Sequence, residues 1–203
     1  MPRVYADNDI LLKAAHWQLL DEVPACAQAD WTQVSVLDSL AHRARRADRR
    51  LFRAPVFSQE LLARLAKCAP LPNPPPAIVA QLQSVTGLDA GEVILVACAI
   101  ADPESRLLTG DKRALRALAT GSCRSVALAL KGRIVCVEHL VHHALDRMGA
   151  EALALAIGPY RSEDTAMACI VSPHATEASI REGLGSYLRA LEAETGGLVL
   201  ADI

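Results

Sequence analysis

The chain has 203 residues, of which 52% are hydrophobic and 22% are charged, and its formal net charge is −2. This many apolar side chains can fill a core, which excludes disorder over most of the length. Aromatic residues make up only 3% of the chain, so an aromatic platform for stacking single-stranded nucleic acid is not expected. Nor is the protein a polycation that would bind nucleic acid through bulk charge.

The first half of the chain predicts one strand, several helical segments and a proline-rich connector. In chain order these are a strand over Val4–Ala6 ending at Asp7, a helix over Ile10–Leu20, a short strand or loop over Trp31–Leu40 leading into a helix through the arginine-rich Ala41–Phe52, a helix capped by Ser58 and running to Lys67, and a stiff connector over 70–76.

The second half alternates short apolar strands with helices. In chain order we predict a helix over Ile78–Val85, a nearly all-apolar helix over Ala90–Ala101 capped by Asp89, a strand over Arg106–Thr109, a helix from Asp111 to Leu118, a strand over Arg133–Val137, a helix to about Arg147, an amphipathic helix over Ala175–Glu194 and a last strand over Leu198–Leu200. This alternation predicts an α/β fold whose parallel sheet has helices on both faces. Residues 1–148 are expected to form the main domain and 149–203 a helical extension packed on the same body.

No run of 18 apolar residues occurs, and the N-terminal segment does not have the basic and apolar regions of a signal peptide. Six scattered cysteines, without a C-x-x-C pair, favour reduced thiols over a disulfide or zinc framework. We therefore expect a cytoplasmic protein with no membrane span.

Acidic residues follow each of the predicted strands that carry the motifs. Asp7, Asp111 and Glu138 lie at the carboxyl ends of apolar strands, and Glu92 lies in the first turn of the apolar helix. Ligands bind at this edge of a parallel sheet. Carboxylates that share one pocket repel each other unless protons or a cation compensate, and hard oxygen ligands favour Mg²⁺ or Mn²⁺. Such ions activate water and clamp phosphodiesters.

The segments that carry these acids resemble the motifs of the PIN domain family, a family of nucleases. Tyr5–Leu11 resembles the opening strand with its acid, Gly91–Ala97 the glutamate that opens a small-residue helix, and Leu107–Leu115 the strand followed by T-x-D. Val135–Glu138 falls where the fourth strand ends. The resemblance covers about Arg3 to Leu140.

The resemblance implies a PIN-like three-layer α/β sandwich and a Mg²⁺- or Mn²⁺-dependent endoribonuclease. It implies catalytic roles for Asp7, Glu92, Asp111 and Glu138, metal ligation by Asp7, Glu92, Asp111 and Asp9, and orienting roles for Asn8 and Thr109. The family's fourth acid is usually an aspartate nearer the third, whereas here the 26 residues from Lys112 to Val137 contain no acid.

The arginine run places Arg46, Arg49, Arg50 and Arg53 on one face, if the segment is helical. This face is a candidate for contacting RNA phosphates. Equally, it is a solvated surface or a dock for an acidic, antitoxin-like protein partner. A toxin of the toxin–antitoxin kind is one option, although the chain is longer than such compact nucleases. A homodimer also stays open.

Three alternatives accompany the nuclease hypothesis. Asp7, Asp111 and Glu138 each precede a helix, where acidic residues act as caps worth about 1 kcal/mol, and a PIN-like module without catalysis would need no more. Asp7-Asn8-Asp9 also resembles the D-x-D opening of haloacid-dehalogenase-like phosphatases, but a later acid pair is missing. His139, His142 and His143 have zinc-compatible spacing but are expected to be ordinary surface histidines of a helix.

Overall fold

The computed structural model describes residues 2–201, and its centre is a small parallel sheet. The strands are β1 (Val4–Ala6), β2 (Val34–Ser35), β3 (Arg106–Thr109) and β4 (Ile134–Cys136), in the spatial order β2-β1-β3-β4. All three strand pairs are parallel, with Tyr5 opposite Leu107 and Leu108 opposite Val135. The carboxyl ends of the strands therefore meet at one edge of the sheet, as the α/β prediction requires.

Helices make up most of the remaining chain. They are α1 (Asn8–His16), α2 (Glu22–Ala25), α3 (Asp38–Arg45), α4 (Pro55–Leu65), α5 (Pro76–Leu82), α6 (Ala90–Ala101), α7 (Lys112–Thr120), α8 (Arg124–Ala127), α9 (Val137–Ile157), α10 (Thr165–Ile170) and α11 (Glu177–Thr195), with 3-10 turns at Trp31–Gln33, Leu128–Leu130 and Gly158–Glu163.

The alternation of side chains along the strands creates two hydrophobic cores, one on each face of the sheet. Leu108 and Val135 pack with side chains of α1, α3, α4 and the first half of α9 in one core. Tyr5 and Leu107 pack with side chains of α5, α6 and α7 in the other. Because every strand is covered on both faces, its residues are almost all apolar and buried. The three-layer α/β fold class predicted from the sequence is confirmed.

The C-terminal segment contributes to both cores. Gly149, at φ +78°, interrupts α9 at the point where the sequence suggests a domain boundary. Beyond it, Leu153 and Leu184 belong to one core and Leu191 belongs to the other. Residues 150–201 are therefore part of the same packed body. Val199 forms only an isolated parallel bridge to Ile134, so the predicted last strand is limited to one residue pair.

The arginine-rich helix predicted through Phe52 is wrong. Helix α3 ends at Arg45, and Ala47 adopts a left-handed conformation at φ +44°. The Asp48 side chain then accepts a hydrogen bond from the Arg50 amide at 3.0 Å, a turn that competes with helical hydrogen bonding. Arg46, Arg49, Arg50 and Arg53 consequently do not share a helix face.

The predicted cap at Ser58 is also wrong. Helix α4 begins at Pro55, and the Ser58 hydroxyl donates a hydrogen bond to the Pro55 carbonyl oxygen at 2.8 Å. Proline at the first helical position needs no amide partner, so it starts the helix three residues earlier. Among residues 2–201, no helix is long and apolar enough to cross a membrane.

Truncation of a central core side chain should be costly. Leu108 is fully buried in β3, whereas the Leu155 side chain is 72% exposed. We expect Leu108→Ala to lower the free energy of unfolding by roughly 2–5 kcal/mol and Leu155→Ala to change it by less than about 0.5 kcal/mol, both measured by urea denaturation. Equal effects of the two substitutions would contradict the two-core arrangement.

Candidate functional site

A cavity of about 550 Å³ opens at the carboxyl edge of the sheet, and acidic side chains dominate its wall. We call it the carboxylate cavity. Its acidic lining residues come from three separate parts of the chain: Asp7, Asp9, Asp89, Glu92 and Asp111. Arg43 at the end of α3 contributes a positive charge to the same wall. The structure thus brings together Asp7, Glu92 and Asp111, as well as the predicted accessory ligand Asp9.

Asp7 is positioned by the end of β1 and the start of α1. Its backbone amide donates to the Leu108 carbonyl oxygen at 2.8 Å, which continues the parallel pairing with β3. Its Oδ1 accepts the Asn8 amide at 2.7 Å, and its Oδ2 accepts the Thr109 hydroxyl at 3.3 Å. Asn8 and Thr109, which are predicted to orient the acids, both contact Asp7. Asn8 does so through its backbone amide and Thr109 through its hydroxyl.

Glu92 and Asp89 form a reciprocal capping box at the start of α6. Asp89 Oδ1 accepts the Glu92 amide at 2.8 Å, and Glu92 Oε2 accepts the Asp89 amide at 2.6 Å. This geometry is the standard solution for unpaired amides at a helix N-terminus. It also fixes two carboxylates side by side on the cavity wall.

Asp111 caps α7 immediately after β3. Its Oδ1 accepts the amides of Arg113 and Ala114 at 2.8 and 3.0 Å, while its own amide donates to Thr109 Oγ1 at 3.1 Å. Thr109 thereby links the turn that carries Asp111 to the carboxylate of Asp7. One hydroxyl holds two acids of the cavity in a fixed relation.

Two of the cavity acids, Asp7 and Glu92, hold their protons more tightly than carboxylates in water. Burial raises the pKa of Asp7 to about 6, and the neighbouring charges of Asp9 and Asp89 act in the same direction. Burial raises the pKa of Glu92 to about 7, with added repulsion from Asp89, Asp111 and Asp7. The negative charge of this wall is therefore incompletely compensated by the protein itself.

Glu138 lies elsewhere. It occupies the first turn of α9, is fully buried, and does not belong to the lining of the carboxylate cavity. The Lys112 ammonium lies 2.5 Å from its Oε1. The structure does not bring this fourth predicted catalytic acid to the other three.

The predicted RNA-contacting arginines divide into two groups. Arg46, Arg49 and Arg50 line a surface hollow of about 430 Å³ in the turn after α3, together with Ala47 and Asp48. Arg53, by contrast, pairs with Glu163 at 2.9 Å. Arg43 connects the hollow to the carboxylate cavity, because it lines that cavity while pairing with Asp48 at 3.4 Å.

His139 is not a surface histidine of α9, contrary to expectation, whereas His142 and His143 are partly exposed. His139 is buried, and burial lowers its pKa to about 4. Its Nδ1 accepts the Cys136 amide at 3.0 Å, and its Nε2 lies 3.1 Å from the Leu200 carbonyl oxygen. Within residues 2–201, no group of three His, Cys, Asp or Glu side chains is arranged to hold a metal ion.

Two residues of the site, Asp89 and Arg43, are missed by the sequence prediction. Asp89 was assigned only as a cap, although the D-x-x-E spacing to Glu92 predicts that both carboxylates lie together. Arg43 lies in the arginine-rich segment over 41–52, but the sequence does not assign it to the site. Its position on the cavity wall depends on how α3 packs, which no local pattern indicates.

No protein-family model matches this chain, and neither a curated protein nor a solved structure matches it. The resemblance to PIN domains therefore rests on the motifs of the chain itself.

The raised pKa values predict that the metal-free protein loses stability as the pH rises. Ordinary values are 3.8 for Asp7 and 4.5 for Glu92. Because the folded state favours the protonated forms, the stability from these groups is complete below the ordinary values and is lost as the pH rises through about 6 and 7. Asp7→Asn should therefore raise the urea midpoint at pH 7.5 and change it little at pH 4.

The matched control is Asp38→Asn, on an exposed position in the first turn of α3. Its effect should not follow this pH dependence. A midpoint difference between wild type and Asp7→Asn that is the same at both pH values would contradict the assigned proton binding.

Proposed function

We propose that the protein is a PIN-like, metal-dependent endoribonuclease that hydrolyses RNA phosphodiesters. The observation that carries this proposal is the carboxylate cavity. Asp7 follows β1, Glu92 lies in the first turn of α6 and Asp111 caps α7. They share one wall, in which burial and repulsion raise the pKa values of Asp7 and Glu92. An uncompensated group of hard oxygen donors has the chemistry of a Mg²⁺ or Mn²⁺ site.

Asp7, Asp9, Glu92 and Asp111 are the residues that would hold the ion. Each carboxylate oxygen has more than one acceptor site, so the capping hydrogen bonds leave capacity for a cation. Within residues 2–201 no three of these side chains are arranged to hold an ion, so binding requires the carboxylates to shift from their capping positions toward one point. A bound divalent cation would supply charge stabilisation for the phosphodiester and a more acidic water.

The protein's own contribution is orientation and charge. Thr109 and the Asn8 amide restrict the Asp7 carboxylate, and the capping box restricts Glu92. Because Asp7 and Glu92 hold protons up to about pH 6 and 7, cation binding must displace those protons at lower pH. Both metal binding and activity should therefore increase as the pH rises through this range.

RNA would reach the cavity along the basic turn after α3, residues 46–50, which we call the arginine turn. Arg46, Arg49 and Arg50 line the adjacent hollow, and Arg43 lies on the cavity wall. Guanidinium groups bind phosphate oxygens with charge-assisted hydrogen bonds. This arrangement supports an RNA backbone that runs from the hollow into the cavity.

A second candidate function is a PIN-like binding module without catalysis. It is favoured because Asp7 and Asp111 accept hydrogen bonds from helix amides and Glu92 accepts the amide of the N-cap residue Asp89, which is the structural role that acidic caps play. In that case the arginine turn would bind an acidic protein, for example of the antitoxin kind.

Activity toward RNA separates the two candidates. We expect wild-type protein with Mn²⁺ to cleave RNA, and Asp7→Asn to be at least about 100-fold slower, because the substitution removes the charge that a cation needs while keeping the capping oxygen. Asp38→Asn should cleave at the wild-type rate, and EDTA should abolish cleavage.

Equal rates for wild type and Asp7→Asn would overturn the nuclease proposal in favour of the binding module. Hydrolysis of a phosphomonoester in place of RNA, abolished by Asp7→Asn, would instead favour the haloacid-dehalogenase-like alternative.

The arginine turn predicts a salt-dependent contribution to RNA binding. We expect the triple variant with Arg46, Arg49 and Arg50 changed to Gln to bind RNA roughly tenfold more weakly near 0.1 M salt, measured by fluorescence anisotropy in EDTA, with a shallower salt dependence. Arg53→Gln is the control, because that side chain is already paired with Glu163. An unchanged affinity of the triple variant would exclude this route for the RNA.

A further inference from the structure

Behind the carboxylate cavity lies a second group of charges, which we call the charge network: Asp9, Lys13, Lys112, Glu138 and Asp164. Lys13 Nζ lies 2.7 Å from Asp9 Oδ2 and 2.9 Å from Asp164 Oδ2. Lys112 Nζ lies 2.5 Å from Glu138 Oε1 and 3.9 Å from Asp164 Oδ1. Asp164 therefore lies between the two lysines and interacts with the ammonium groups of both.

Asp164 belongs to the C-terminal segment and is held firmly there. Its side chain is 6% exposed. Its Oδ1 caps α10 by accepting the Ala166 and Met167 amides at 3.0 and 3.2 Å, which leaves Oδ2 for Lys13. The cap fixes the carboxylate and thereby the position of the lysine ammonium.

The first connection to the cavity runs through Lys13. Its partner Asp9 lines the carboxylate cavity and is 43% exposed, so one carboxylate serves both the buried network and the open site. The ion pair also packs against Gly110, since a Cβ at that position would overlap Asp9 Oδ2 and lie 3.2 Å from Lys13 Nζ. Gly110 separates Thr109 from Asp111, and the close packing constrains the turn that carries both.

The second connection runs through Lys112, the residue directly after Asp111. Its ammonium is 4.6 Å from the centre of the Tyr187 ring and is paired with the buried Glu138. Glu138 is thus the nearest counter-charge of this lysine. Glu138 is buried in its pair with Lys112, and it does not line the carboxylate cavity.

We infer that Asp164 is a positioning residue for the carboxylate cavity and that it sets the cavity's affinity for divalent cations through Lys13 and Lys112. This inference rests on the proposed function. The network contains three carboxylates and two ammonium groups, and loss of the Asp164 charge would leave both lysines fully matched by Asp9 and Glu138. Asp9 would then be the remaining partner of Lys13 in the charge network, and its negative charge would be neutralised by that lysine. The wall of the carboxylate cavity would therefore attract a cation less strongly.

The test is the Mn²⁺ dissociation constant, measured by isothermal titration calorimetry on the full chain. Asp164→Asn keeps a capping oxygen for α10 and removes the charge. We expect it to weaken Mn²⁺ binding on the order of tenfold. Asp164→Glu, which retains the charge, should restore affinity to within about threefold of wild type, a rescue that a capping role alone does not predict.

Asp146→Asn is the matched control, because Asp146 is half exposed and pairs with Arg181, which is not part of the charge network. It should leave the Mn²⁺ affinity unchanged within about twofold, since exposed charges are screened. In a Lys13→Met background, adding Asp164→Asn should have less than about a third of its effect on affinity in the wild-type background, because the path through Lys13 is missing.

The outcomes separate this inference from the proposed function. If wild type binds Mn²⁺ and Asp164→Asn binds it equally well, the inference is overturned and the proposed function stands. If wild type binds no Mn²⁺, both are overturned. If Asp164→Asn alone does not fold, the comparison passes to Lys13→Met with and without Asp164→Asn, and a tenfold difference within that pair would overturn the role of Lys13.

Discussion

Negatively charged side chains repel each other at one edge of the parallel sheet, and the arrangement of the structure around that edge reduces this repulsion. Five carboxylates line one cavity there, and two of them have pKa values raised by burial and by their neighbours. Helix amides offset part of this cost, since Asp7, Asp89 and Asp111 each accept at least one at a helix start. Arg43 and Lys13 offset a further part. The negative charge that remains uncompensated favours the protonated forms of Asp7 and Glu92.

The same carboxylates therefore cap the helix starts and form the candidate site. Capping holds each acid in a fixed place, and Thr109 couples Asp7 to the turn before Asp111. A purely structural role of the acids as helix caps accounts for these hydrogen bonds. It does not account for the gathering of the capped helix starts around one open cavity with Arg43 on its wall.

Much of the fold was predictable because its signals are local. Short apolar runs that end in an acid located β1, β3 and β4 along the chain, and the cap at Asp89 located the start of α6 correctly. The arginine segment failed because helical propensity was outweighed by the turn at Ala47 and Asp48. Glu138 was misplaced as a neighbour of the other acids because its burial beside Lys112 depends on packing between α7 and α9. Asp164 could not be found at all from sequence, since it meets Lys13 across 151 positions.

The central claim is that Asp7, Glu92 and Asp111 can close around one divalent cation. The most direct measurement is a crystal structure of the protein soaked in Mn²⁺, with the anomalous signal of the metal recorded. The account predicts a peak inside the carboxylate cavity, with oxygens of at least two of these three side chains at ~2.0–2.6 Å from it. A crystal saturated with Mn²⁺ whose cavity contains no peak, or whose three carboxylates remain with their capping amides alone, would contradict it.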